Sequence, residues 1–140
     1  MSTPIQVTFD CADPGAQAAF WAHALGYVVE PPPEPFSSWD EALAAWGVPK
    51  ELWNSRSAAV DPDGDGPRVF FQQVPEGKQV KNRVHVDLKV GGLRDDGRDR
   101  IDAEVERLQA VGATTLHPLE EWGGYCVVMQ DPEGNEFCVD

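Results

Sequence analysis

One turn motif, Asp-Pro-acid-Gly, occurs twice in this chain, at Asp61–Gly64 and at Asp131–Gly134. Each copy leads into an apolar run typical of a β-strand, Arg68–Phe71 in the first case and Asn135–Val139 in the second. A single motif of this kind marks an ordinary turn. Its recurrence half a chain apart predicts two copies of one supersecondary unit.

The similarity between the two halves extends towards the N-terminal side of each motif. In the first half a β-type run, Ile5–Cys11, is followed by a helical stretch that begins after Asp13 and ends at Leu25. In the second half the β-type run is Val84–Val90, and the helical stretch covers about 98–111. Each half therefore predicts a strand, a helix and then further strands, a βαβββ module of the α+β class.

The chain length suits a single domain over 1–140, with module one at about 4–76 and module two at about 82–140. A module of this size has little stability of its own. We therefore expect the modules to share a core or to complete a sheet across their junction, with the helices packed on the back of the sheet.

Acidic residues outnumber basic ones by 24 to 11, which gives a formal net charge of -13. Because nucleic acids and anionic membrane surfaces are bound through clustered cations, this balance argues against both as partners. No stretch approaches the roughly 18 to 20 apolar residues of a membrane span.

The cysteines indicate a reducing compartment. The chain has three of them, Cys11, Cys126 and Cys138, and none lies in a C-x-x-C spacing. An odd number without such spacing favours neither a disulfide framework nor a zinc knuckle. The N-terminus also lacks a basic segment followed by an apolar one. We expect a cytoplasmic protein.

Residues 31–53 have no counterpart in the second half. The proline-rich run Pro31–Pro35 favours an extended path, and Trp39, Leu43 and Trp46 then follow at the spacing of a small amphipathic helix. Two interpretations are open: the segment forms a lid over a pocket, or it packs on the surface.

The polar run 75–83 joins the two halves and contains Lys78, Lys81 and Arg83. It is either a solvated linker or a set of cations that attracts an anionic ligand to a nearby site.

Strand alternation separates polar from apolar residues at the start of the second half. The charged and polar face carries Arg83, His85, Asp87 and Lys89. The other face carries Val84, Val86, Leu88 and Val90. Since the apolar set must pack against the helix, His85 and Asp87 are expected on the open face of the sheet.

The last strand adds polar groups to the same open face. Phe137 and Val139 share the core side, which leaves Glu136, Cys138 and Asp140 on the open side. Polar side chains that converge from several strands predict a ligand site, because sheet stability does not require them. A histidine in such a strand is either a structural hydrogen-bonding group or a metal ligand.

A family resemblance extends over nearly the whole chain and is carried by five segments in a fixed order: Phe9–Pro14, Phe20–Tyr27, Lys81–Leu88, Val111–Ala113 and Asp131–Phe137. With them the chain resembles the vicinal oxygen chelate superfamily, the group of glyoxalases, bleomycin-resistance proteins and extradiol dioxygenases. The resemblance implies two βαβββ modules whose strands form a curved mixed sheet, a cup with the helices outside.

Enzymes of that superfamily bind one divalent metal ion in the cup, through residues of the first and last strands of each module. The resemblance places these positions at Gln6, Gln72, His85 and Cys138. The register of the second position is open, since Phe71 or Gln73 fits as well. Cys138 stands where the metal-binding enzymes have glutamate, and the implied ion is Zn, Fe, Ni or Mn.

Two functions follow from the resemblance. The first is an isomerase, lyase or oxygenase that acts on a small oxygen-rich molecule, with His85 as metal ligand or general base. Glu136 or Asp87 would then carry the proton or supply the missing carboxylate ligand. The second is a metal-free protein that binds and sequesters an aromatic compound.

The residues expected to contact such a small molecule are Trp21, Trp122, Tyr125 and Arg83. The chain has five tryptophans, which either line an apolar pocket or fill the core. A homodimer is the expected assembly, since superfamily members often pair and sheet edges need cover.

Overall fold

The structure, a computed structural model, describes residues 1–92 and 95–140. The chain divides into two compact units, unit 1 over Met1–Gly77 and unit 2 over Lys78–Asp140. Among the described residues, three α-helices and two four-stranded sheets are present. Each unit has the order βαβββ, which confirms the predicted α+β class and the duplicated module.

Unit 1 holds the first four strands and two helices. These elements are β1 (Val7–Cys11), α1 (Pro14–Leu25), β2 (Val28–Val29), α2 (Trp39–Ala45), β3 (Arg56–Val60) and β4 (Val69–Gln73), with a short 3₁₀ turn at Lys50–Leu52. The strand order is β1-β4-β3-β2. β1 and β4 are parallel and the other neighbours are antiparallel.

Unit 2 repeats this arrangement. Its elements are β5 (Asp87–Leu88), α3 (Gly97–Gln109), β6 (Thr114–Glu121), β7 (Gly124–Gln130) and β8 (Glu136–Val139). The order β5-β8-β7-β6 again pairs the first strand with the last in parallel. Both sheets therefore bring residues from the start and the end of a module side by side.

The two Asp-Pro-acid-Gly motifs fold into the same turn. In each motif the aspartate carboxylate accepts a hydrogen bond from the main-chain N–H two residues on, at 3.0 Å in Asp61 and 2.9 Å in Asp131. The closing glycines, Gly64 and Gly134, have φ values of 79° and 86°. This left-handed conformation favours glycine, which explains why the motif recurs with that residue at its fourth position.

Helix α1 begins and ends where the sequence predicts. The Asp13 side chain accepts a hydrogen bond from the N–H of Ala16 at 3.1 Å, and Pro14 occupies the first turn. At the other end Gly26 adopts φ 70° and ends the helix. Asn54 also donates to the Asp13 carboxylate at 2.8 Å, which ties the helix start to the chain segment before β3.

We expect an Asp13→Ala variant to lose about 1 kcal/mol of unfolding free energy at neutral pH, because it loses a helix cap. The hydrogen bond from Asn54, followed by that from Ala16, lowers the pKa of Asp13 in the folded protein. The carboxylate therefore stabilises the fold above its unfolded pKa of about 3.9, and this contribution is lost as the pH falls through the lower folded value. Urea denaturation of both proteins should show a difference that shrinks below about pH 4. A difference that grows on acidification would contradict this account.

Each unit has its own apolar core between sheet and helix. In unit 1 the largest buried side chains include Trp21 and Phe71, and in unit 2 they include Leu108, Met129 and Phe137. Burying one such side chain contributes about 1.5–3 kcal/mol. The cores occupy the helix-facing sides of the sheets, and the opposite faces remain for other roles.

Two details of the predicted second half are wrong. The expected strand over Val84–Val90 pairs as a strand only at Asp87–Leu88, beside Cys138 and Val139 of β8. Val84 is consequently 83% exposed and does not face the helix. Val111 is also exposed, because α3 ends at Gln109 before the predicted apolar stripe is complete.

Within the described part of the chain, none of the helices has the length and apolar character needed to cross a bilayer.

Candidate functional site

Unit 2 brings an imidazole, a carboxylate and a thiol together on the sheet face opposite its core. Asp87 lies beside Cys138 in the parallel β5–β8 pair, and His85 comes two residues before Asp87. His85 Nε2 lies 3.2 Å from Asp87 Oδ1, and the three potential ligand atoms all lie within 4.8 Å of one another. We refer to His85, Asp87 and Cys138 as the His85 cluster. Strand alternation places them on one face, and their roles stay predictions.

The donor set of the His85 cluster fits a divalent cation of the zinc type. Imidazole nitrogen, carboxylate oxygen and thiolate sulfur are the ligands that zinc uses in proteins, and three protein ligands leave a fourth position open. Thiolate ligation favours zinc or iron over manganese or magnesium. Burial, together with the neighbouring Cys126 and Asp87, raises the pKa of the Cys138 thiol to about 11. The thiol is therefore protonated at neutral pH, and a bound cation would have to replace its proton.

A further acceptor lies on the same strand face. Asp140 follows β8, and its Oδ2 accepts a hydrogen bond from Lys89 Nζ at 2.6 Å. Its Oδ1 is buried without a hydrogen-bond partner among residues 1–92 and 95–140. A buried acceptor without a hydrogen bond lowers the stability of the fold unless a cation or a donor reaches it.

Glu136 is engaged with the chain segment that opens unit 2. Its carboxylate accepts a hydrogen bond from the N–H of Asn82 at 3.0 Å and lies 3.1 Å from Lys78 Nζ. The Asn82 hydrogen bond, and after it Lys78, hold the pKa of Glu136 below its usual value. These contacts fasten residues 78–82 to β8, and the predicted role of Glu136 in proton transfer stays a prediction.

The cations of the polar run 75–83 differ in their surroundings. Lys78 is paired with Glu136, whereas Lys81 and Arg83 are exposed and have no ion-pair partner in the described part of the chain. The contact of Arg83 with a small molecule therefore stays a prediction.

Tyr125 lies on the helix side of its sheet, away from the His85 cluster. Its hydroxyl donates to Asp102 Oδ1 at 2.5 Å, and the guanidinium of Arg98 lies 4.1 Å from its ring centroid. Both partners belong to α3, and the hydrogen bond to Asp102 raises the pKa of Tyr125. Alternation along β7 therefore puts Tyr125 on the face opposite the His85 cluster, and its predicted contact with a substrate stays a prediction.

Trp122 is at the tip of the hairpin between β6 and β7. Its side chain is fully exposed, at 101% of the reference area, and its backbone φ is 54°. Together with Gly123 at φ 75° it forms the two-residue turn of the hairpin. Within unit 2, Trp122 is therefore a turn residue and forms no pocket wall.

The two glutamines of the predicted metal set lie in unit 1 and do not meet. Gln72 is beside Asp10 in the β1–β4 register, and Gln6 precedes Asp10 by four residues, or about 13 Å along a strand. Gln6 Oε1 accepts from Arg68 at 2.7 Å, while Gln72 Nε2 donates to Asp10 at 3.1 Å. Two amides so placed do not share an ion.

The register also corrects which residue of unit 1 corresponds to Cys138. In unit 2 the residue two positions after His85 is paired with Cys138, and in unit 1 the residue two positions after Gln6 is Thr8, which is paired with Phe70. The matching position is therefore Phe70, not Gln72 or its alternatives. The first turn continues through Asp65-Gly66, and this shifts β4 along the sequence.

Trp21, predicted to contact a ligand, fills the core of unit 1. It is 1% exposed, and its ring lies 5.0 Å from that of Phe9 and 5.4 Å from that of Phe20. An indole buried in this way supports the packing of α1 on the sheet, and this corrects the sequence prediction.

A cavity of about 670 Å³ lies on the other face of the unit 1 sheet. Its floor is formed by Ala58 and Phe70, which are neighbours in the β3–β4 register. Its walls come from the segment without a counterpart in the second half: Trp39, Leu43, Trp46, Val48, Leu52 and Trp53. We name this cavity the indole pocket. Its size and largely apolar lining are typical of small-molecule sites.

Local sequence explains why the wall of the indole pocket forms. Ser38 caps α2 by accepting from the N–H of Glu41 at 3.1 Å, and the Glu41 carboxylate accepts from the N–H of Ser37 at 2.9 Å. This cap resembles a capping box, except that Glu41 reaches the residue before the N-cap, and it starts the helix so that Trp39 and Trp46, two turns apart, share one face. Their rings lie 6.4 Å apart in an edge-to-face arrangement.

Hydrogen bonds fix two of the three indoles. Trp39 Nε1 donates to the carbonyl of Glu30 at 2.7 Å, and Trp53 Nε1 donates to the carbonyl of Val48 at 2.9 Å. Because these N–H groups are already satisfied, the rings are held in place without a ligand. The pocket is therefore largely preformed.

One end of the floor carries an ion pair. Arg68 donates to both carboxylate oxygens of Glu30, at 3.0 and 2.6 Å, and its guanidinium lies 5.1 Å from the ring centroid of Phe70. This bidentate pair neutralises the arginine at that end of the pocket.

The sequence indicated the segment but not the residues of the site. The spacing of Trp39, Leu43 and Trp46 was the available signal, and these residues form part of the pocket wall, while a lid function of the segment stays a prediction. Which sheet face the segment covers depends on contacts between residues distant in sequence, and no local pattern reveals them.

Comparisons with known proteins agree with this architecture. The family profile of the glyoxalase-like domain matches residues 6–139. No curated protein matches the chain significantly. Similar solved structures include a glyoxalase/bleomycin resistance protein/dioxygenase family enzyme from Burkholderia phytofirmans, which is 18% identical, with 96% of this chain and 94% of that chain covered and a TM-score of 0.62.

Two further structures show what proteins of this fold bind. A fosfomycin resistance protein from Listeria monocytogenes, in complex with Mn(II) and a dihydroxypropylphosphonic acid, is 13% identical over 99% of this chain and 89% of that one, with a TM-score of 0.65. A bleomycin-binding protein from Streptomyces verticillus, in complex with copper(II)-bleomycin, is 14% identical over 99% and 95%, with a TM-score of 0.55. At these identities the likeness concerns the fold.

The chain belongs to the glyoxalase-like domain family, within the vicinal oxygen chelate superfamily. Solved structures with this fold include an enzyme and a binding protein, so the fold alone does not define one activity.

Proposed function

We propose that this protein binds a planar aromatic small molecule in the indole pocket of unit 1, without a requirement for metal. The observation that carries the proposal is a preformed cavity of about 670 Å³ walled by Trp39, Trp46 and Trp53. Aromatic rings stack on indoles in offset or edge-to-face geometry, and each such pair contributes about 0.5–1.5 kcal/mol beyond the apolar area it buries.

The exposure of the indoles supports this proposal. Trp46 is 53% exposed and Trp39 is 37% exposed, although both are large apolar side chains next to a concave surface. A ligand in the pocket would remove such apolar surface from water, at roughly 25 cal/mol per Å². The bleomycin-binding protein from Streptomyces verticillus shows that a protein of this fold can bind a small molecule.

The test uses naphthamide, a planar and uncharged probe, with the full chain in the presence of a chelator. We expect saturable binding by calorimetry, accompanied by quenching of tryptophan fluorescence. A Trp46→Ala variant should bind about tenfold or more weakly, since it loses about 1.5 kcal/mol or more of stacking and burial.

The matched control is Trp122→Ala, which removes an exposed indole from a hairpin tip in unit 2. This variant should bind the probe as the unchanged protein does. Equal binding by Trp46→Ala and the unchanged protein, or no binding at all, would contradict the proposal.

The His85 cluster favours a second candidate function, a metal-dependent isomerase, lyase or oxygenase. His85, Asp87 and Cys138 would hold a zinc-type ion in unit 2. When bound, such an ion supplies a Lewis acid that polarises a substrate oxygen. His85 Nε2 lies 3.2 Å from Asp87 Oδ1, so the imidazole and the carboxylate are already close enough for one ion to reach both.

The expected assembly and location complete the proposal. We infer a cytoplasmic protein, since all three cysteines are free thiols, and a homodimer, since β2 and β6 are sheet edges. Size-exclusion chromatography with light scattering would test the dimer directly.

A further inference from the structure

We propose that the indole pocket selects aromatic molecules that carry a carboxylate, and that Arg56 binds this group. The inference rests on the proposed function of the pocket and adds the chemical class of its ligand.

Most polar side chains of the pocket already have partners within unit 1. Glu30 and Arg68 form the bidentate pair at one end of the floor. Asn54 donates to Asp13 at 2.8 Å, and Ser55 donates to a main-chain carbonyl at 2.7 Å. These groups are therefore occupied and offer little to a ligand.

Three polar side chains of the pocket have no side-chain partner among the described residues: Ser57, whose hydroxyl can donate or accept, and the two donors Arg56 and Trp46. Arg56 is exposed and makes no ion pair or side-chain hydrogen bond among the described residues. The indole N–H of Trp46 likewise has no acceptor within residues 1–92 and 95–140. Arginine and tryptophan side chains donate hydrogen bonds but accept none. A ligand that complements them must supply acceptors, and a carboxylate matches the fork of the guanidinium.

The two arginines of the pocket lie at opposite ends of its floor. Arg56 is paired with Gln72 in the β3–β4 register, whereas Arg68 lies four positions before Gln72, or about 13 Å along the strand. Because Glu30 neutralises Arg68, the uncompensated positive charge lies at the Arg56 end. An aromatic body over Phe70 would then point its carboxylate towards Arg56.

The negative net charge of the protein opposes the binding of any anion, so a preference for a carboxylate ligand indicates a specific contact. At a net charge of -13, the chain repels anions over a distance. A higher affinity for an anionic ligand than for its neutral analogue must therefore come from a local contact in the pocket.

The experiment compares naphthoate with naphthamide by calorimetry on the full chain at neutral pH and physiological salt. The two probes have nearly the same shape, and only naphthoate is charged. We expect naphthoate to bind about tenfold more tightly, the size of one charge-assisted hydrogen-bonded contact at a partly exposed site. Arg56→Gln should remove this preference by weakening the binding of naphthoate far more than that of naphthamide, and Arg56→Lys should restore part of it.

Arg100→Gln is the matched control, since it removes an exposed arginine from α3 in unit 2. It should leave both affinities unchanged. Equal binding of the two probes to the unchanged protein, or a preference that survives in Arg56→Gln, overturns the role of Arg56 while binding in the pocket stands. If neither probe binds, both the inference and the proposed function fail.

Discussion

Replacing Trp21 by alanine is expected to lower the free energy of unfolding by about 3–5 kcal/mol, the usual cost of truncating a buried aromatic side chain. Trp21 is 1% exposed and packs against Phe9 and Phe20, so its removal leaves a cavity between α1 and the sheet. Domains of this size have about 5–15 kcal/mol of stability in total, so the loss is a large part of it. Urea denaturation followed by circular dichroism measures the effect.

Two further variants distinguish a core role from a ligand role for tryptophan. Trp122→Ala, at the exposed hairpin tip, should change stability by no more than about 0.5 kcal/mol. Trp21→Phe, which keeps an aromatic ring in the core, should be clearly more stable than Trp21→Ala. If Trp21→Ala unfolded at the same urea concentration as the unchanged protein but lost naphthamide binding, Trp21 would be a ligand contact.

Cobalt(II) added to the full chain is expected to give the near-ultraviolet absorption of a thiolate-to-metal charge transfer. The reason is that Cys138 Sγ lies within 4.8 Å of the donor atoms of His85 and Asp87, close enough for one ion to reach all three after small adjustments. Removing a group that only orients a metal-binding side chain weakens metal binding by about 10–100-fold. Cys138→Ser, which removes a ligand itself, should therefore weaken binding by at least about 100-fold and abolish the band.

The control for this measurement is Cys11→Ser. Cys11 is buried in unit 1, where its thiol donates to the carbonyl of Gln72 at 3.6 Å, so the band should persist in this variant. Zinc should displace cobalt, and His85→Gln should weaken the binding of both ions. A band that survives in Cys138→Ser, or no thiolate band in the unchanged protein, would remove the His85 cluster as a metal site.

The sequence was informative where the signal is local. The repeated turn, the Asp13 cap and the glycine after α1 each depend on a few neighbouring residues, and all are found as predicted. Alternation along β8 also gave the correct buried residues, Phe137 and Val139. Short-range conformational preferences and side-chain periodicity depend on neighbouring residues, so both can be predicted from the sequence.

The register between strands that are distant in the sequence is harder to predict from the sequence. Gln72 is two residues beyond the position that matches Cys138, because the β1–β4 register places Phe70 there, six residues after Gly64, whereas Cys138 follows Gly134 by four. Similarly, the sequence indicates tryptophans and a tyrosine as candidate ligand contacts. It does not show which sheet face each side chain occupies. A shift of one residue exchanges the two faces of a strand, so small errors in register change the whole site.

From its sequence alone, this protein is a duplicated βαβββ chain of the α+β class with an acidic surface and a polar open sheet face around His85. Only the tertiary structure decided that Trp21 fills the core, that Tyr125 faces α3, and that residues 39–53 form the wall of a pocket on the unit 1 sheet. The physical reason is that secondary structure follows from neighbouring residues, whereas a pocket follows from contacts between residues far apart in the chain.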